Sequence, residues 1–115
     1  MKKEILEFHA EFCKIFTHPK RLEILDLLIL GELTADEIAA KLSLSKTSVY
    51  QHLRLMRMLR ILKTRRNGTE LHYMLANNKI SRAYRLMQDV LVQVMKGSVD
   101  TAKEAVAAMK GEITR

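Results

Sequence analysis

The sequence predicts a mostly α-helical domain that carries one β-hairpin, an α+β fold class. The 115 residues include one proline and four glycines, which argues against a turn-rich all-β fold. Apolar residues recur at helical spacing through most of the chain, and strand-like alternation appears only around Asn67-Gly68. A chain of this length is sufficient for one domain and leaves no room for a second core, so residues 1–115 are expected to form a single domain.

Two helices are predicted before Gly31. Apolar residues at helical spacing predict the first helix over Ile5 to Phe16. Pro19 predicts the start of the second helix, Pro19 to Leu30, because proline fits the first helical turn and disfavours helix in the residue before it. Gly31 then predicts its end.

A second pair of helices follows, joined by a short turn. Thr34 and Glu37 form a capping-box pattern that predicts the start of the third helix. Residues 43–45 (Ser-Leu-Ser) interrupt it, and Ser45 is a suitable cap for a fourth helix that continues to about Leu59. The apolar residues of this fourth helix share one face, which predicts its buried side: Val49, Leu53 and Met56.

A β-hairpin is predicted over residues 61–75. Asn67-Gly68 separates two strand-like runs, and both turn positions are expected to have positive φ. In the second run Leu71, Tyr73 and Leu75 alternate with more polar residues, so their face should pack on the helices. Residues 34–59 are thus predicted to form two short helices joined by a three-residue turn, and a hairpin wing follows them. This order is typical of a winged helix-turn-helix.

Two further helices are predicted at the C-terminal end. The first spans about Asn78 to Lys96, Gly97-Ser98 predicts an interruption, and the alanine-rich residues from Asp100 to Met109 predict the second. The first helix and the Asn78–Lys96 helix have more apolar surface than a small core requires. Segments 1–17 and 77–110 are therefore predicted to dimerise, although they could instead only cap the core.

The charge distribution indicates where a partner binds. The net charge is +7, yet residues 38–69 contain eight basic residues and no acidic residue. A single basic helix is often only a solvated surface, but a stretch of this length favours a site for a polyanion.

The fourth helix and the wing are the predicted DNA-binding surface. An α-helix fits the major groove of B-DNA, and two arginines at a tight turn suit phosphates or a minor groove. The candidate DNA-contacting residues on the helix and the wing are Lys46, Thr47, Ser48, Tyr50, Gln51, His52, Arg54, Arg65, Arg66 and Asn67.

These segments resemble the ArsR-type (arsenical-resistance operon repressor) regulators. The similar segments are Phe16–Leu25, Gly31–Ala39, Leu44–Met56 and Asn67–Tyr73, in order and with ordinary spacing. The resemblance implies a homodimeric transcriptional repressor whose first and last helices form the interface. Its operator, double-stranded DNA, should then be an imperfect palindrome. The residues expected at the dimer interface are Ile5, Phe8, Phe12, Leu86, Val90 and Val94.

The sequence departs from the family's metal sensors. Their thiolate ligands lie in a Glu-Leu-Cys-Val-Cys-Asp-Leu run, and the matching residues 32–38 contain no cysteine. The other family site uses histidines on the last helix, and no histidine follows Leu75. His9 and Cys13, four residues apart, are weak metal candidates, and Cys13 could also act as a thiol sensor. No metal site and no cofactor are predicted, and the effector is unknown.

Two other function classes fit the sequence less well. A winged helix can serve as a protein-interaction module without sequence-specific DNA binding, but such a module would not need a basic surface without acids. An enzyme is not expected, because the sequence contains no phosphate-binding loop or nucleophile–base motif. The charged N-terminal residues do not form a signal peptide and no apolar run could span a bilayer, which predicts a cytoplasmic protein without a membrane partner.

Overall fold

A computed structural model describes residues 1–96 and 99–114, and its contacts divide the chain into two compact units. The unit Met1–Ser81 contains helices and strands in the following order: α1 (Lys3–Cys13), α2 (Pro19–Leu30), β1 (Leu33–Thr34), α3 (Ala35–Leu42), α4 (Lys46–Met58), β2 (Leu62–Asn67) and β3 (Glu70–Leu75). The helix α5 (Asn78–Val94) begins in this unit and continues into the second, which also contains α6 (Val99–Thr114). Within the described ranges, every helix is too short or too polar to cross a bilayer. The predicted mostly helical fold with one hairpin is confirmed.

Local capping sets the start of both helices in the helix-turn-helix. The Thr34 hydroxyl accepts a hydrogen bond from the Glu37 amide at 3.2 Å, and the Thr34 amide donates to Glu37 Oε1 at 3.0 Å. This confirms the predicted capping box. The Ser45 hydroxyl accepts from the Ser48 amide at 3.1 Å and so caps α4 as expected.

The first helix is shorter than its apolar pattern predicted. α1 ends at Cys13, and Lys14–Thr17 form a 3-10 turn, so the prediction of continuous helix to Phe16 was wrong. Pro19 holds His18 in an extended conformation, and the Thr17 hydroxyl donates to the Lys14 carbonyl at 2.7 Å. Both interactions favour a tightened last turn over continued α-helix.

The last helix is longer than predicted. α6 spans Val99–Thr114, whereas the alanine-rich pattern indicated 100–109. The flanking positions carry no proline that would stop the helix earlier. The predicted interruption at 97–98 lies outside the described residues.

The wing belongs to a three-stranded antiparallel sheet in the order β1-β3-β2. The sequence did not predict β1, because two residues are too few to show an alternating pattern. The hairpin is confirmed, but its turn lies one residue later than expected. Asn67 pairs with Glu70 at the end of β2, and of the two turn residues only Gly68 has positive φ, at 64°. This arrangement resembles a type II′ turn, whereas the expected pair of positive φ angles would have given type I′.

The core lies between the helices of the first unit and the base of the wing. Its fully buried side chains come from the 3-10 turn, α2, α3, α4 and the start of the hairpin: Ile15, Ile24, Leu25, Ile38, Val49, Leu53, Met56 and Ile61. Of the predicted inward face of the second wing strand, Tyr73 is buried and Leu71 and Leu75 are half-buried. α4 is therefore anchored along one face against this core.

Candidate nucleic-acid interface

Helix α4 has one buried face and one solvent-facing face. Val49, Leu53 and Met56 have no exposed surface. Thr47, Gln51 and Arg54, which follow the same i, i+4, i+7 spacing on the other side, are all exposed. The fully buried face holds the helix in place, so the polar face is presented outward on a rigid element.

Three more predicted residues flank this outward face. Tyr50 is half-exposed, and Lys46 is exposed with its ammonium 3.4 Å from the Asp36 carboxylate. Ser48 is partly buried, and its amide is used in the cap of α4. Lys46 is thus a predicted DNA-contacting cation that already has an acidic neighbour, as is Arg65, described below.

His52 points toward α2 rather than with the exposed residues of α4. Its Nδ1 accepts a hydrogen bond from Arg21 Nε at 3.3 Å, and its ring meets that of His18 edge-on with centroids 4.7 Å apart. Burial lowers the pKa of His52, and the neighbouring His18 and Arg21 lower it further. The contacts of His52 connect α4 to the start of α2.

At the wing tip, Arg65, Arg66 and Asn67 are exposed at the end of β2. Arg65 donates to both carboxylate oxygens of Glu32, with its Nε 3.3 Å from Oε2. This hydrogen bonding holds the pKa of Glu32 below its usual value and raises the pKa of Arg65. Arg66 has no ion pair within the part of the chain that the structure describes.

A groove of about 430 Å³ lies beside the second half of α4. It is lined by two tyrosines, two arginines and a methionine: Tyr50, Arg54, Arg57, Met58 and Tyr73. Burial raises the pKa of the Tyr73 hydroxyl, and Tyr50 adds to this rise while Arg57 opposes it. Sequence reasoning did not select Arg57, although it lies one turn beyond Arg54 on the same helix.

Acidic residues reach the basic surface from outside the acid-free stretch 38–69. Glu32 contacts Arg65, and Asp36 contacts Lys46. Both acids precede residue 38, so the sequence pattern could not show these pairs. The basic surface of α4 and the wing therefore includes cations that the fold has already paired with acids.

The residues predicted for a dimer interface are largely exposed within the single chain. On α1, Ile5 and Phe8 are exposed, and Phe12 is half-buried. On α5, the exposed residues follow i, i+4, i+8: Leu86, Val90 and Val94. Each helix therefore has an apolar face directed to solvent, and such faces mark interaction sites.

The weak metal candidates His9 and Cys13 are both exposed on α1. Over the described residues, no three side chains of histidine, cysteine, aspartate or glutamate are grouped so that they could hold a metal ion. The pair alone would supply two ligands, fewer than the three or four protein ligands of a zinc site.

Comparison with known proteins identifies relatives of the whole helix-turn-helix. A family model described as "Bacterial regulatory protein, arsR family" matches residues 18–64. The transcriptional repressor PagR of Bacillus anthracis is 35% identical over 86 residues, which cover 74% of this chain and 86% of PagR. A "Transcriptional repressor SmtB homolog" of Synechocystis is 35% identical over 82 residues. The match covers 71% of this chain but only 62% of that relative.

Solved structures of similar proteins have the same fold. The solution structure of Mb0332 from Mycobacterium bovis, described as a homodimeric winged helix-turn-helix DNA-binding domain, superposes with a TM-score of 0.77 at 27% identity. The superposition covers 83% of this chain and 88% of that domain. The identity to PagR over most of its length, the family match across α2 to β2 and the shared fold lead to one conclusion: this chain is a winged helix-turn-helix protein of the arsR family of bacterial transcriptional regulators.

Proposed function

We propose that this protein is a homodimeric repressor that binds double-stranded DNA through α4 and the wing. The observation that carries the proposal is the division of α4 into a fully buried face and an outward face that includes Thr47, Gln51 and Arg54. A helix presented in this way fits the major groove, where glutamine and arginine can make bidentate hydrogen bonds with base edges.

The wing is proposed to contact the DNA backbone. Arg66 and Asn67 lie exposed beside the tight turn, and Arg65 lies next to them. Contacts from a wing to phosphates fix the position of the protein on the duplex, whereas contacts from α4 read the sequence. Thr47, Gln51 and Arg54 are therefore assigned to base recognition, with Lys46 and Tyr50 beside them. His52 and Ser48 are assigned a supporting role, because their contacts lie within the protein.

The dimer is proposed to form through the exposed apolar faces of α1 and α5. The homodimeric state of the Mycobacterium bovis relative supports this proposal. A two-fold dimer would place two copies of α4 in successive major grooves about 34 Å apart, so the operator should be an imperfect palindrome. A regulator that binds chromosomal DNA works in the bacterial cytoplasm, which is the proposed location.

The proposal is tested by the salt dependence of binding. Duplexes recovered by selection from genomic fragments supply a specific probe, and a scrambled duplex of the same composition supplies the non-specific one. If about six phosphates are contacted, log Kobs should fall with log salt at a slope near −5 on both duplexes. A slope near zero would sink the DNA-binding proposal and favour a protein-interaction module.

Two substitutions separate the proposed readers from the residues that contact phosphate. Gln51→Ala should weaken binding to the selected duplex while leaving the scrambled duplex and the salt slope nearly unchanged. Arg66→Ala should weaken binding to both duplexes and make the slope shallower by roughly one for each phosphate that the arginine no longer neutralises. If Gln51→Ala weakened binding to the scrambled duplex as much as to the selected duplex, as Arg66→Ala is expected to do, this division would be contradicted.

A further inference from the structure

Glu32 lies at the junction between the helical body and the wing. It follows Gly31, which ends α2 with φ 155° and ψ 171°, a conformation that is accessible essentially only to glycine. It immediately precedes β1, and its carboxylate reaches Arg65 on β2, 33 residues away in sequence. The contact therefore connects the segment that leads into the helix-turn-helix with the strand that leads to the wing tip.

The geometry of the Glu32–Arg65 pair restricts the arginine. The guanidinium donates through both Nε and a terminal nitrogen, one to each carboxylate oxygen. A two-point contact of this kind fixes the orientation of the planar guanidinium, which a single contact would leave free to rotate. The side chains of Arg65 and Glu32 are 50% and 34% exposed, so the pair adds little to stability and its main effect is on the position of Arg65.

The surroundings of Glu32 strengthen this arrangement. In the sheet register Arg65 of β2 pairs with His72 of β3, and His72 pairs with Thr34 of β1. These three residues are therefore directly opposite one another across the sheet. The His72 ring is 15% exposed and lies between two carboxylates, with Nδ1 3.6 Å from Glu32 and Nε2 3.4 Å from Glu70. Glu32 is thus bounded by a packed ring on one side and by the arginine on the other.

We propose that Glu32 is a positioning residue for DNA recognition: it holds Arg65 in a fixed orientation on the wing and offsets its charge. This inference rests on the proposed DNA-binding function. A held and partly neutralised arginine contributes less to non-specific attraction by phosphates, yet loses less conformational freedom when it meets a phosphate in the correct register. Glu32 therefore raises the ratio of specific to non-specific affinity.

The test compares Glu32→Gln with Glu23→Gln. The Glu23 carboxylate pairs with Lys20 at 3.2 Å on α2. The exposure of the Lys20–Glu23 pair is similar to that of the Arg65–Glu32 pair, so each variant removes one negative charge from a half-exposed ion pair. Binding to a selected duplex and to a scrambled duplex is measured across a range of salt concentrations, and thermal unfolding is recorded for each variant.

Glu32→Gln should increase affinity for the scrambled duplex and steepen its salt slope by about 0.9 per subunit, as expected for one additional unpaired cation. It should also reduce the ratio of specific to non-specific affinity more than Glu23→Gln does. In an Arg65→Gln background the additional effect of Glu32→Gln should disappear, because the side chain that it holds is absent.

Two results would overturn the inference. One is an effect of Glu32→Gln equal to that of Glu23→Gln on both duplexes. Glu32 would then act only through its negative charge and not through its contact with Arg65. The other is a fall in affinity on both duplexes together with a lowered unfolding temperature, which would make Glu32 a structural residue. If the wild-type protein binds neither duplex, the proposed DNA-binding function itself fails, and the result is distinguishable from both of these.

Discussion

At the scale of single residues, contacts with residues distant in sequence decide whether a side chain is held within the protein or faces outward. Arg65 and Arg66 are adjacent on the wing, but Arg65 is held by Glu32 while Arg66 has no ion pair within the described chain. His52 lies in the same helix as Gln51, but it contacts Arg21 and His18 instead of facing outward. The sequence alone placed all four residues among the candidate DNA-contacting residues.

The contacts of His52 predict a dependence of stability on pH. Its pKa is lowered in the folded protein, so the unfolded chain takes up this proton more readily as the pH falls through about 6.5. The stabilisation from neutral His52 is therefore present above that pH and is lost as the pH falls toward the folded-state pKa. His52→Asn retains an acceptor for Arg21 but cannot titrate, so its free energy of unfolding should fall less than that of the wild type between about pH 7.5 and 5.5.

Urea unfolding at several pH values measures this difference. The carboxylates with lowered pKa, Glu32 and Glu37, lose their stabilisation only at more acidic pH, so they do not interfere in this window. An identical pH dependence in the wild type and in His52→Asn would contradict the assignment.

At the scale of helices and strands, the starts of helices follow local sequence more closely than their ends. Side-chain caps from Thr34 and Ser45 begin α3 and α4. Their ends have no glycine: Ser43 and Arg60 adopt left-handed conformations, with φ of 54° and 62°. After α4, the Ile61 amide donates to the Met56 carbonyl at 2.9 Å, a hydrogen bond typical of a helix that ends in a left-handed residue.

This ending predicts that Arg60→Gly stabilises the protein. A non-glycine residue at positive φ carries a cost that glycine avoids, so the free energy of unfolding should rise by about 1 kcal/mol despite the greater freedom of glycine in the unfolded chain. Arg54→Gly, at an exposed position in the interior of α4, is the matched control and should lower the free energy of unfolding by about 1 kcal/mol. Urea unfolding of both variants checks the pair, and a decrease in stability in Arg60→Gly would show that the arginine side chain makes a stabilising contact.

At the scale of the whole molecule, the exposed apolar faces of α1 and α5 are the surfaces through which the dimer is proposed to form. α5 has a stripe of large apolar side chains that are exposed in one copy: Leu86, Met87, Val90, Leu91 and Val94. A stripe of this kind is typical of a helix that packs against another surface. In a second copy of this chain, the same stripe would provide a self-complementary surface of the kind that two-fold dimers use.

Val90→Glu should convert the proposed dimer to a monomer, because the interface would bury an unpaired carboxylate. Val92→Glu is the matched control, since Val92 is also exposed but lies on the opposite side of α5, about 200° away at 3.6 residues per turn. Sedimentation of the two variants measures the oligomeric state. Binding to a palindromic duplex should weaken in Val90→Glu alone, and a dimeric Val90→Glu protein would show that this stripe is not the interface.

The starts of the helices, the hairpin and the outward face of α4 followed from the sequence by itself, because their causes act over a few residues. Helical spacing identified the buried residues of α4, the Thr34–Glu37 box and Ser45 marked helix starts, and Asn67-Gly68 located the hairpin to within one residue of its turn. The two-residue strand β1 gave no signal of this kind, and its pairing depends on where β3 lies.

Only the tertiary structure decided which basic residues are paired. Residues 38–69 contain no acid, yet folding brings Glu32 to Arg65 and Asp36 to Lys46. Folding also brings Arg21 to His52, 31 residues away in sequence. Charge pairing depends on distances of a few ångströms between side chains on different elements, and a sequence pattern specifies such distances only along one helix or one strand.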